Sequence, residues 1–397
     1  MAWEVKKLGD VAEYFIGLTY SPKDVSDKGI IVLRSSNIQN DELDLTNILR
    51  VNRAVKDSLI VQEGDILMCS RNGSKRLVGK TAIIQGLEEE MTFGTFMTII
   101  RSQYNPYLSW FFKSDDFREQ ISGGGHTMIN QVTKYMLNDL EIPIPPLAEQ
   151  KRIVAILDEA FSAILTAKEN AEKNLKNAKE LFESYLNNIF EKKGKDWEEK
   201  KLGEVAVISS GYGFNSKSFQ KSGKYQVIRM GNVRPGLIRK EENPVFLNEV
   251  DEKIACKALL QRNDIIITQT GTRKKKDYGF TVAINEDNYL LNQRLAGIRF
   301  NKTNDYKFYL YFTWTERFRD QFFENETGMV GQGNVGIGAI TGAIVPTPPL
   351  SEQKRIVAKL DALSEQTKKL EAVYSRKIAD LDELKKSILQ KAFRGEL

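Results

Sequence analysis

The sequence contains few of the residues from which catalytic and metal sites are usually built. Its 397 residues include one histidine, His126, and two cysteines, Cys69 and Cys256. A structural zinc site needs a full set of cysteine or histidine ligands, and a Ser-His-Asp triad needs a histidine. His126 follows a run of glycines in a predicted loop, which is a poor setting for either role. We therefore expect no catalytic residues, no metal site and no disulfide framework.

Long apolar runs are also missing. No stretch approaches the ~18 apolar residues of a membrane-spanning helix, and the first residues lack the apolar region of a signal peptide. Two distant cysteines fit a reducing compartment. We expect a cytoplasmic protein that does not contact a membrane.

Glycine-rich nucleotide-binding motifs are absent as well. The nearest approach runs from Gly73 to Thr81, but its glycines enclose one residue more than a phosphate loop allows. Its end also predicts a strand, where a phosphate loop continues into a helix. No G-x-G-x-x-G motif follows a predicted strand. The chain is therefore expected to hold no cofactor of its own.

The composition is that of an ordinary globular protein, with 41% hydrophobic and 28% charged residues. The net charge of +5 is compatible with a polyanionic partner, although many basic proteins bind no nucleic acid. The length predicts two or three domains.

The most informative feature is an internal duplication. Residues 3–12 recur as 197–206, and residues 145–155 recur as 348–358. The second match continues without a gap to Phe190 and Phe393. So long an ungapped match indicates a duplicated chain. Between these anchors the two copies agree only at short stretches, so each copy has a divergent part followed by a closely matched part.

The closely matched part predicts a long helix in each copy. A proline pair precedes each one, and Glu149 and Glu352 favour the positive end of the helix dipole. Apolar residues then recur three and four apart, which is typical of a coiled-coil seam. A helix of ~44 residues is about 65 Å long, more than one small domain needs. We favour two spacer helices packed antiparallel over the alternative, a helical hairpin buried in one domain.

The residues assigned to the interface of these helices share the seam positions. They are Ile153, Leu157, Ile164, Leu175, Phe182, Ile189, Ile356, Leu360, Leu363, Leu370, Ile378, Leu381, Leu384 and Ile388.

The divergent parts alternate β-type runs with turn signals. Strands are predicted at 29–33, 65–69, 81–84 and 97–101, and again at 225–229, 264–268, 281–284 and 296–300. One helix, capped by Asn105, should follow the first set. The predicted class is α+β, with two tandem mixed α/β domains separated by an antiparallel coiled coil and related by a pseudo-two-fold axis. The domains are 1–146 and 195–349, and the spacer helices are 147–194 and 350–397.

A polar loop follows the second strand of each set. Its hydroxyl, amide and guanidinium groups are those that contact phosphates and base edges, and its glycine could let backbone N–H groups approach a phosphate. Either loop alone could be a solvated basic turn, but recurrence in both copies favours DNA contact. With neighbouring polar residues, the predicted DNA-binding set is Arg34, Ser36, Asn37, Ser70, Arg71, Asn72, Ser74, Lys75, Arg76, Arg229, Asn232, Arg234, Gln269, Thr270, Thr272, Arg273, Lys274, Lys275 and Lys276.

These patterns together resemble the specificity subunits of type I restriction–modification systems. The resemblance is carried by the Trp-Glu-x-Lys-Lys-Leu-Gly segments at Trp3 and Trp197 and by the two Pro-Pro-Leu-x-Glu-Gln-Lys-Arg-Ile-Val-Ala helix starts. The final segment, residues 390–397, completes it, so the resemblance covers essentially the whole chain.

The resemblance implies a non-catalytic subunit with two target-recognition domains, each reading one half of a bipartite, asymmetric site in double-stranded DNA. Two adenine methyltransferase subunits would dock on the spacer helices, and restriction subunits could join them. S-adenosylmethionine and ATP would then be bound by those partners. The alternatives are a self-sufficient DNA-modifying enzyme and a coiled-coil adaptor that binds only proteins.

Overall fold

A computed structural model describes residues 3–122, 131–192, 194, 196–329 and 331–397. His126 lies outside the described residues. The chain divides into two compact units, of which unit 1 comprises Met1–Glu172 with Ser375–Leu397 and unit 2 comprises Lys173–Tyr374. Each unit mixes helices with strands, which confirms the predicted α+β class.

In its described residues, unit 1 begins with eleven strands and four short helices, followed by the first long helix. The strands are β1 (Glu4–Lys7), β2 (Glu13–Ile16), β3 (Val25–Leu33), β4 (Ile38–Gln39), β5 (Glu42–Leu43), β6 (Arg50–Val51), β7 (Ile66–Cys69), β8 (Thr81–Ile83), β9 (Met91–Phe93), β10 (Met97–Arg101) and β11 (Glu141–Ile144). The helices are α1 (Leu8–Val11), α2 (Asn105–Phe111), α3 (Asp115–Ser122), α4 (Lys134–Asp139) and α5 (Leu147–Glu191).

Unit 2 repeats this order and ends in the second long helix. Its strands are β12 (Glu198–Lys201), β13 (Ala206–Ser210), β14 (Tyr225–Ile228), β15 (Val233–Arg234), β16 (Leu237–Ile238), β17 (Phe246–Leu247), β18 (Ile265–Thr268), β19 (Thr270–Thr272), β20 (Thr281–Ala283), β21 (Tyr289–Leu291), β22 (Leu295–Phe300), β23 (Gln332–Asn334) and β24 (Ile344–Thr347). Its helices are α6 (Leu202–Val205), α7 (Glu252–Ala258), α8 (Tyr306–Phe312), α9 (Glu316–Glu324), α10 (Ile337–Gly342) and α11 (Leu350–Arg394).

An antiparallel four-stranded sheet forms the centre of each unit. Its strand order is β2-β10-β7-β8 in unit 1 and β13-β22-β18-β20 in unit 2. All four residues of β7 are buried, and alternate ones enter different cores, with Ile66 in one and Leu67 in the other. A strand covered on both faces needs a continuous apolar run, and both β7 and β18 have one.

One buried ion pair recurs in both central sheets. The Arg101 guanidinium donates to both oxygens of Asp65 at 2.8 and 2.7 Å, and Arg299 binds Asp264 in the same way at 2.8 and 2.6 Å. Each aspartate is almost fully buried, so removing its arginine would leave an unpaired buried charge. This bridge explains why these short stretches agree between two otherwise divergent copies.

The repeated Trp-Glu-x-Lys-Lys-Leu-Gly segment forms a strand that sequence analysis did not assign. β1 pairs antiparallel with β11, just before the first long helix, and β12 pairs with β24 in the same way. The charged residues of β1 face solvent, whereas Leu8 after it is fully buried. The motif therefore joins the start of each repeat to its end.

The single helix predicted after Asn105 is wrong in two respects. The segment forms two helices, α2 and α3. Ser114 separates them, because its hydroxyl donates to Phe111 O at the end of α2 at 2.7 Å and accepts from Phe117 N in the first turn of α3 at 3.3 Å. Asn105 is not a cap. Its amide donates to the carbonyls of Gly64 and Ile100.

The helices α5 and α11 contain 45 residues each and contribute to both units. In unit 1 they run antiparallel, because Arg152 near the start of α5 donates to Leu397 O at 2.7 Å, while Lys168 binds Asp382 at 2.6 Å. In unit 2 the last turns of α5 share a core with the first turns of α11.

The repeated helix-start motif has a structural explanation. Gln150 is buried and its amide donates to Pro145 O at 2.7 Å, and Gln353 binds Pro348 O at 2.8 Å. These bonds use proline carbonyls that would otherwise lack a partner at the helix start.

Two residues assigned to the helix interface are placed differently by the structure. Leu370 and Leu384 are 42% and 45% exposed, whereas Thr367, which the seam assignment omitted, is 3% exposed. Its hydroxyl donates to Leu363 O at 3.0 Å, so a polar residue fits the apolar seam without an unpaired group. Of the other assigned residues, Ile153, Leu157, Ile164, Ile356 and Leu360 are buried, and Leu175, Phe182, Ile189, Leu363, Ile378, Leu381 and Ile388 are half-buried.

Within the described ranges, no helix is both long and apolar enough to cross a membrane. The same part of the chain contains no group of three or more side chains arranged to hold a metal ion.

Candidate nucleic-acid interface

The two predicted polar loops lie at equivalent places in the two units. Residues 70–76 follow β7, and residues 269–276 follow β18. Ser70 N donates to Phe96 O and Gln269 N donates to Arg294 O, each at 2.9 Å. On the other side, Ser70 O accepts from Val132 N at 2.8 Å, just before α4, and Gln269 O accepts from Val335 N at 2.9 Å, just before α10. Each loop is thus fixed at its base by the same hydrogen bonds, although its sequence differs.

In the first loop, two of the six predicted side chains, those of Ser70 and Asn72, make internal hydrogen bonds. The Ser70 hydroxyl donates to Thr98 at 2.6 Å, and Asn72 accepts from Ser74 N at 2.8 Å. Arg71 is exposed, with its guanidinium 5.7 Å from the centre of the Phe96 ring. Lys75 and Arg76 are exposed at the tip.

The second loop is more strongly braced. Its first residues form β19, which pairs antiparallel with β23. Arg273 binds Glu326 at 2.6 Å, and the Glu326 carboxylate also accepts from the Tyr278 hydroxyl. Hydrogen bonding by Tyr278, together with the nearby Arg273, lowers the pKa of Glu326, so the bracing carboxylate stays charged.

Other members of the second loop are partly occupied. The Gln269 amide donates to Val335 O at 3.0 Å, and the Thr270 hydroxyl bonds the Met230 sulfur at 3.1 Å. Thr272 is exposed, and the Lys276 ammonium lies 4.9 Å from the centre of the Phe323 ring.

Four cations at the loop tips have free side chains. Among the residues that the structure describes, no ion pair or side-chain hydrogen bond is made by Lys75, Arg76, Lys274 or Lys275, and all four are exposed. They can bind phosphates without first breaking an internal contact.

The short 3₁₀ turns at Ser35–Asn37 and Met230–Asn232 lie beside these loops. Asn72 in the first loop donates to Ser35 at 3.0 Å, so the turn and the loop share one surface. Asn37 and Asn232 are buried, and each side chain donates to two carbonyls of its own loop. Both were predicted to bind DNA, but their geometry fits shaping of the turn.

The remaining predicted residues vary in availability. Arg34 donates to Asn47 at 3.3 Å, Arg229 donates to Asn243 O, and Arg234 donates to Val233 O at 2.8 Å. Ser36 is exposed.

Gly271 has a packing role that the sequence did not indicate. A Cβ atom there would lie 2.8 Å from the Tyr278 ring, so glycine is required for close packing of the loop on that ring. Gly73 has no such neighbour.

Sequence analysis missed the turns that carry Phe96 and Arg294. Both residues directly precede well-predicted strands, and aligning the two repeats on those strands would have revealed them. The turn at residues 292–294 joins two amides to a guanidinium, which is a signal of the same kind as in the polar loops, whereas the turn at residues 94–96 offers only one hydroxyl.

Comparison with known proteins gives a consistent result. The family described as "Type I restriction modification DNA specificity domain" matches residues 2–176 and 194–378. The type I restriction enzyme EcoKI specificity subunit of Escherichia coli is 27% identical, over all of this chain and 89% of that protein. The StySPI specificity subunit of Salmonella potsdam is 25% identical with the same coverage.

Solved structures share the fold. A chain from a type I R-M system, described in terms of complex assembly and conformational transition, has a TM-score of 0.79 at 20% identity, covering all of this chain and 98% of that one. The HsdS subunit from Thermoanaerobacter tengcongensis has a TM-score of 0.63 at 19% identity, covering all of this chain and 97% of that one.

Proposed function

The chain belongs to the type I restriction modification DNA specificity domain family, and from this premise we propose that it recognises a bipartite, asymmetric DNA target and directs adenine methyltransferase subunits to it. Each unit reads one half of the target. The chain itself does not catalyse methyl transfer, and S-adenosylmethionine and ATP are bound by its partners. Restriction subunits join the same assembly.

The observation that carries this proposal is the pair of polar loops. They are anchored by the same backbone hydrogen bonds but present different side chains. A constant scaffold with variable tips suits two readers of unlike sequences, because phosphate contacts position a protein on DNA while base contacts specify the sequence. The exposed lysines and arginines at the tips supply the phosphate contacts.

The two long helices provide the second part of the proposal. Each contributes to both units, so both readers are built on the same pair of helices. We assign to these helices the spacing of the two half-sites and the docking of two methyltransferase subunits.

The test is selection from random-sequence DNA by the full chain mixed with the modification subunits of its host. We expect two short conserved blocks separated by a fixed gap, and methyl transfer only in the mixture. Methyl transfer by the chain alone would favour a self-sufficient enzyme. Absence of any selected sequence would favour a protein-binding adaptor.

A double variant, Lys274→Ala with Lys275→Ala, tests the phosphate role of the second loop. Binding to all DNA sequences should weaken alike, and the slope of log K against log salt should fall by about 1.8, because each phosphate contact contributes about 0.9. Lys302 is an exposed lysine that follows β22 at the end of that strand away from the polar loop. Lys302→Ala is therefore the matched control and should leave the slope unchanged. An unchanged slope in the double variant would contradict the phosphate role.

A further inference from the structure

Beside each polar loop lies a turn at the same place in the central sheet. Residues 94–96 connect β9 to β10, and residues 292–294 connect β21 to β22. Gly94 N donates to Leu33 O at 2.9 Å, and Asn292 N donates to Ile228 O at 3.0 Å. The last carbonyl of each turn accepts from the base of the polar loop. The two turns are therefore held rigidly in corresponding positions.

A close backbone approach fixes each turn further. A Cβ atom on Gly17 would collide with Gly94 O, and a Cβ atom on Gly211 would collide with Asn292 O. Only glycine permits this contact, which recurs in both units.

The residue at the end of the turn is different in the two units. Phe96 is 54% exposed in unit 1, and its counterpart Arg294 is exposed in unit 2. The Arg294 side chain makes no hydrogen bond or ion pair within the described part of the chain. An exposed aromatic ring and an unengaged guanidinium at one rigid position are both suited to contacting a ligand.

The backbone of Arg294 is strained. Its φ is +68°, in the left-handed region that non-glycine residues rarely adopt. Most other such residues in the described chain are Asn or Asp, which tolerate this region, and the remaining one, Lys276, lies in the adjacent polar loop. Strain of this kind persists where the surrounding structure enforces it, and it clusters at functional sites.

The surroundings of the two residues differ in chemistry. Phe96 and Ile16, which is 59% exposed, line one open groove of about 270 Å³ in unit 1. Arg294 lies with Asn292 and Gln293 in a groove of about 510 Å³ in unit 2. Both grooves also have polar lining residues, among them Arg71 and Lys134 in unit 1, so the contrast is confined to the exposed apolar side chains of Phe96 and Ile16 in unit 1 and to the hydrogen-bond donors of residues 292–294 in unit 2.

We propose that this turn is a specificity-determining position in both readers: Phe96 contacts the C5-methyl group of a thymine in one half-site, and Arg294 donates to O6 and N7 of a guanine in the other. The assignment rests on the proposed function. Apolar side chains select thymine through its methyl group, and arginine pairs with the major-groove edge of guanine.

The experiment uses base analogues in the sequence selected by the full chain with its modification subunits. Deoxyuridine replaces each thymine in turn, which removes only the methyl group, and 7-deazaguanine replaces each guanine, which removes N7. We expect one thymine whose replacement weakens binding about fourfold. We also expect, in the other half-site, one guanine whose replacement weakens binding about 2- to 12-fold, because it removes one of the two acceptors of the bidentate pair.

The variants assign these losses to residues. Phe96→Ala should bind thymine and uracil alike at the sensitive position, and Arg294→Ala should lose its sensitivity to 7-deazaguanine. Two matched controls remove a similar side chain elsewhere: Val25→Ala removes another exposed apolar side chain of unit 1, and Lys302→Ala removes another exposed cation of unit 2. Both control variants should remain sensitive to uracil and to 7-deazaguanine, as the wild type is.

Two outcomes would count against the proposal in different ways. If Phe96→Ala and Arg294→Ala bind specifically and retain both sensitivities, the assignment of this turn is overturned while the proposed function stands. If the unmodified chain selects no sequence, the proposed function fails, and the assignment fails with it.

Discussion

At the residue scale, the two units show how one backbone position can carry opposite chemistry. The turn before the last strand of the central sheet is held by backbone hydrogen bonds, so its side chain is free to vary. Arg294 has a left-handed backbone conformation at this position, and that conformation costs a non-glycine residue about 1–2 kcal/mol. A residue kept there despite that cost is expected to serve binding.

Arg294→Gly should therefore stabilise unit 2 while removing base discrimination. Relief of the strained φ is offset in part by the greater chain entropy of glycine, about 0.5–1 kcal/mol, which leaves a net gain of about 0.5–1 kcal/mol. Chemical denaturation measures the change. The control is Asn288→Gly, because Asn288 has the same φ of +68° but is of a type that tolerates it, and it should change stability less. Loss of stability in Arg294→Gly would contradict the argument from strain.

Glu326 gives unit 2 a pH dependence. Its pKa in the folded state is lowered by the Tyr278 hydrogen bond and by Arg273, so its contribution to stability is present above the ordinary carboxyl pKa and is lost as pH falls through the lowered value. Glu326→Gln should be less stable than the wild type at neutral pH. The difference should shrink as pH falls below the ordinary carboxyl pKa of about 4.3 and should be lost once the lowered pKa of the folded state has been passed.

Denaturation of both proteins across pH checks this expectation. Glu324→Gln, an exposed carboxylate at the end of α9, is the matched control and should be nearly neutral at every pH. If the difference in unfolding free energy between the wild type and Glu326→Gln grows as pH falls, the bracing role of Glu326 is refuted.

At the element scale, the sequence predicted three of the four strands of each central sheet, because those strands are apolar and bounded by turn residues, and missed the edge strands β2 and β13. The range predicted at 97–101 agrees with β10, and the other predicted strands differ mainly at their ends. Hydrophobic periodicity also located both long helices. These elements bury apolar surface, which leaves a clear pattern in the sequence.

Elements that depend on pairing or on single hydrogen bonds were missed. β1 and β12 are strands because β11 and β24 lie beside them, not because their charged sequences favour a strand. The break between α2 and α3 depends on one hydroxyl, that of Ser114. In the candidate site, Asn37 and Asn72 have the same side chain, but only the fold decides that Asn37 is buried and Asn72 is half-buried.

In each unit, a phenylalanine near the end of a long helix joins that helix to the rest of the unit. The Phe393 ring of α11 packs on Tyr107 and Phe111 in unit 1, with ring centres 5.3 and 5.4 Å apart. The Phe190 ring of α5 packs on Phe308 and Phe312 in unit 2, at 5.2 and 5.4 Å. Both rings are fully buried, and each belongs to the core of one unit.

Phe393→Ala should destabilise unit 1, and Phe190→Ala should destabilise unit 2, each by about 3–5 kcal/mol. Hydrogen exchange of the β7 and β18 amides reports the two units separately, and each variant serves as the control for the other. Equal loss of protection in both sheets from either variant would show that the cores are not independent.

At the scale of the whole molecule, duplication accounts for the combination of constant and variable parts. The helix starts, the Asp–Arg bridges and the phenylalanine anchors recur because both units need them to fold on α5 and α11. The loops and turns beyond β7 and β18 contribute little to these cores. They can therefore diverge between the two units without loss of the shared scaffold, as the proposed reading of two different half-sites requires.

This division predicts that half-site sequence and half-site spacing can be changed independently. Deleting residues 168–174 and 371–377 removes one heptad from each long helix and keeps the seam in register, since Ala178 then takes the place of Ala171. The loss of about 10.5 Å of helix should shorten the gap between half-sites by about three base pairs, at 3.4 Å per step, with both half-sites unchanged. Deleting the heptad from α5 alone leaves the two antiparallel helices unequal in length, so it should lower stability and should not give a new fixed gap between the half-sites.

Sequence selection with each protein measures the gap directly, and an unchanged gap after the paired deletion would mean that the helices do not set it.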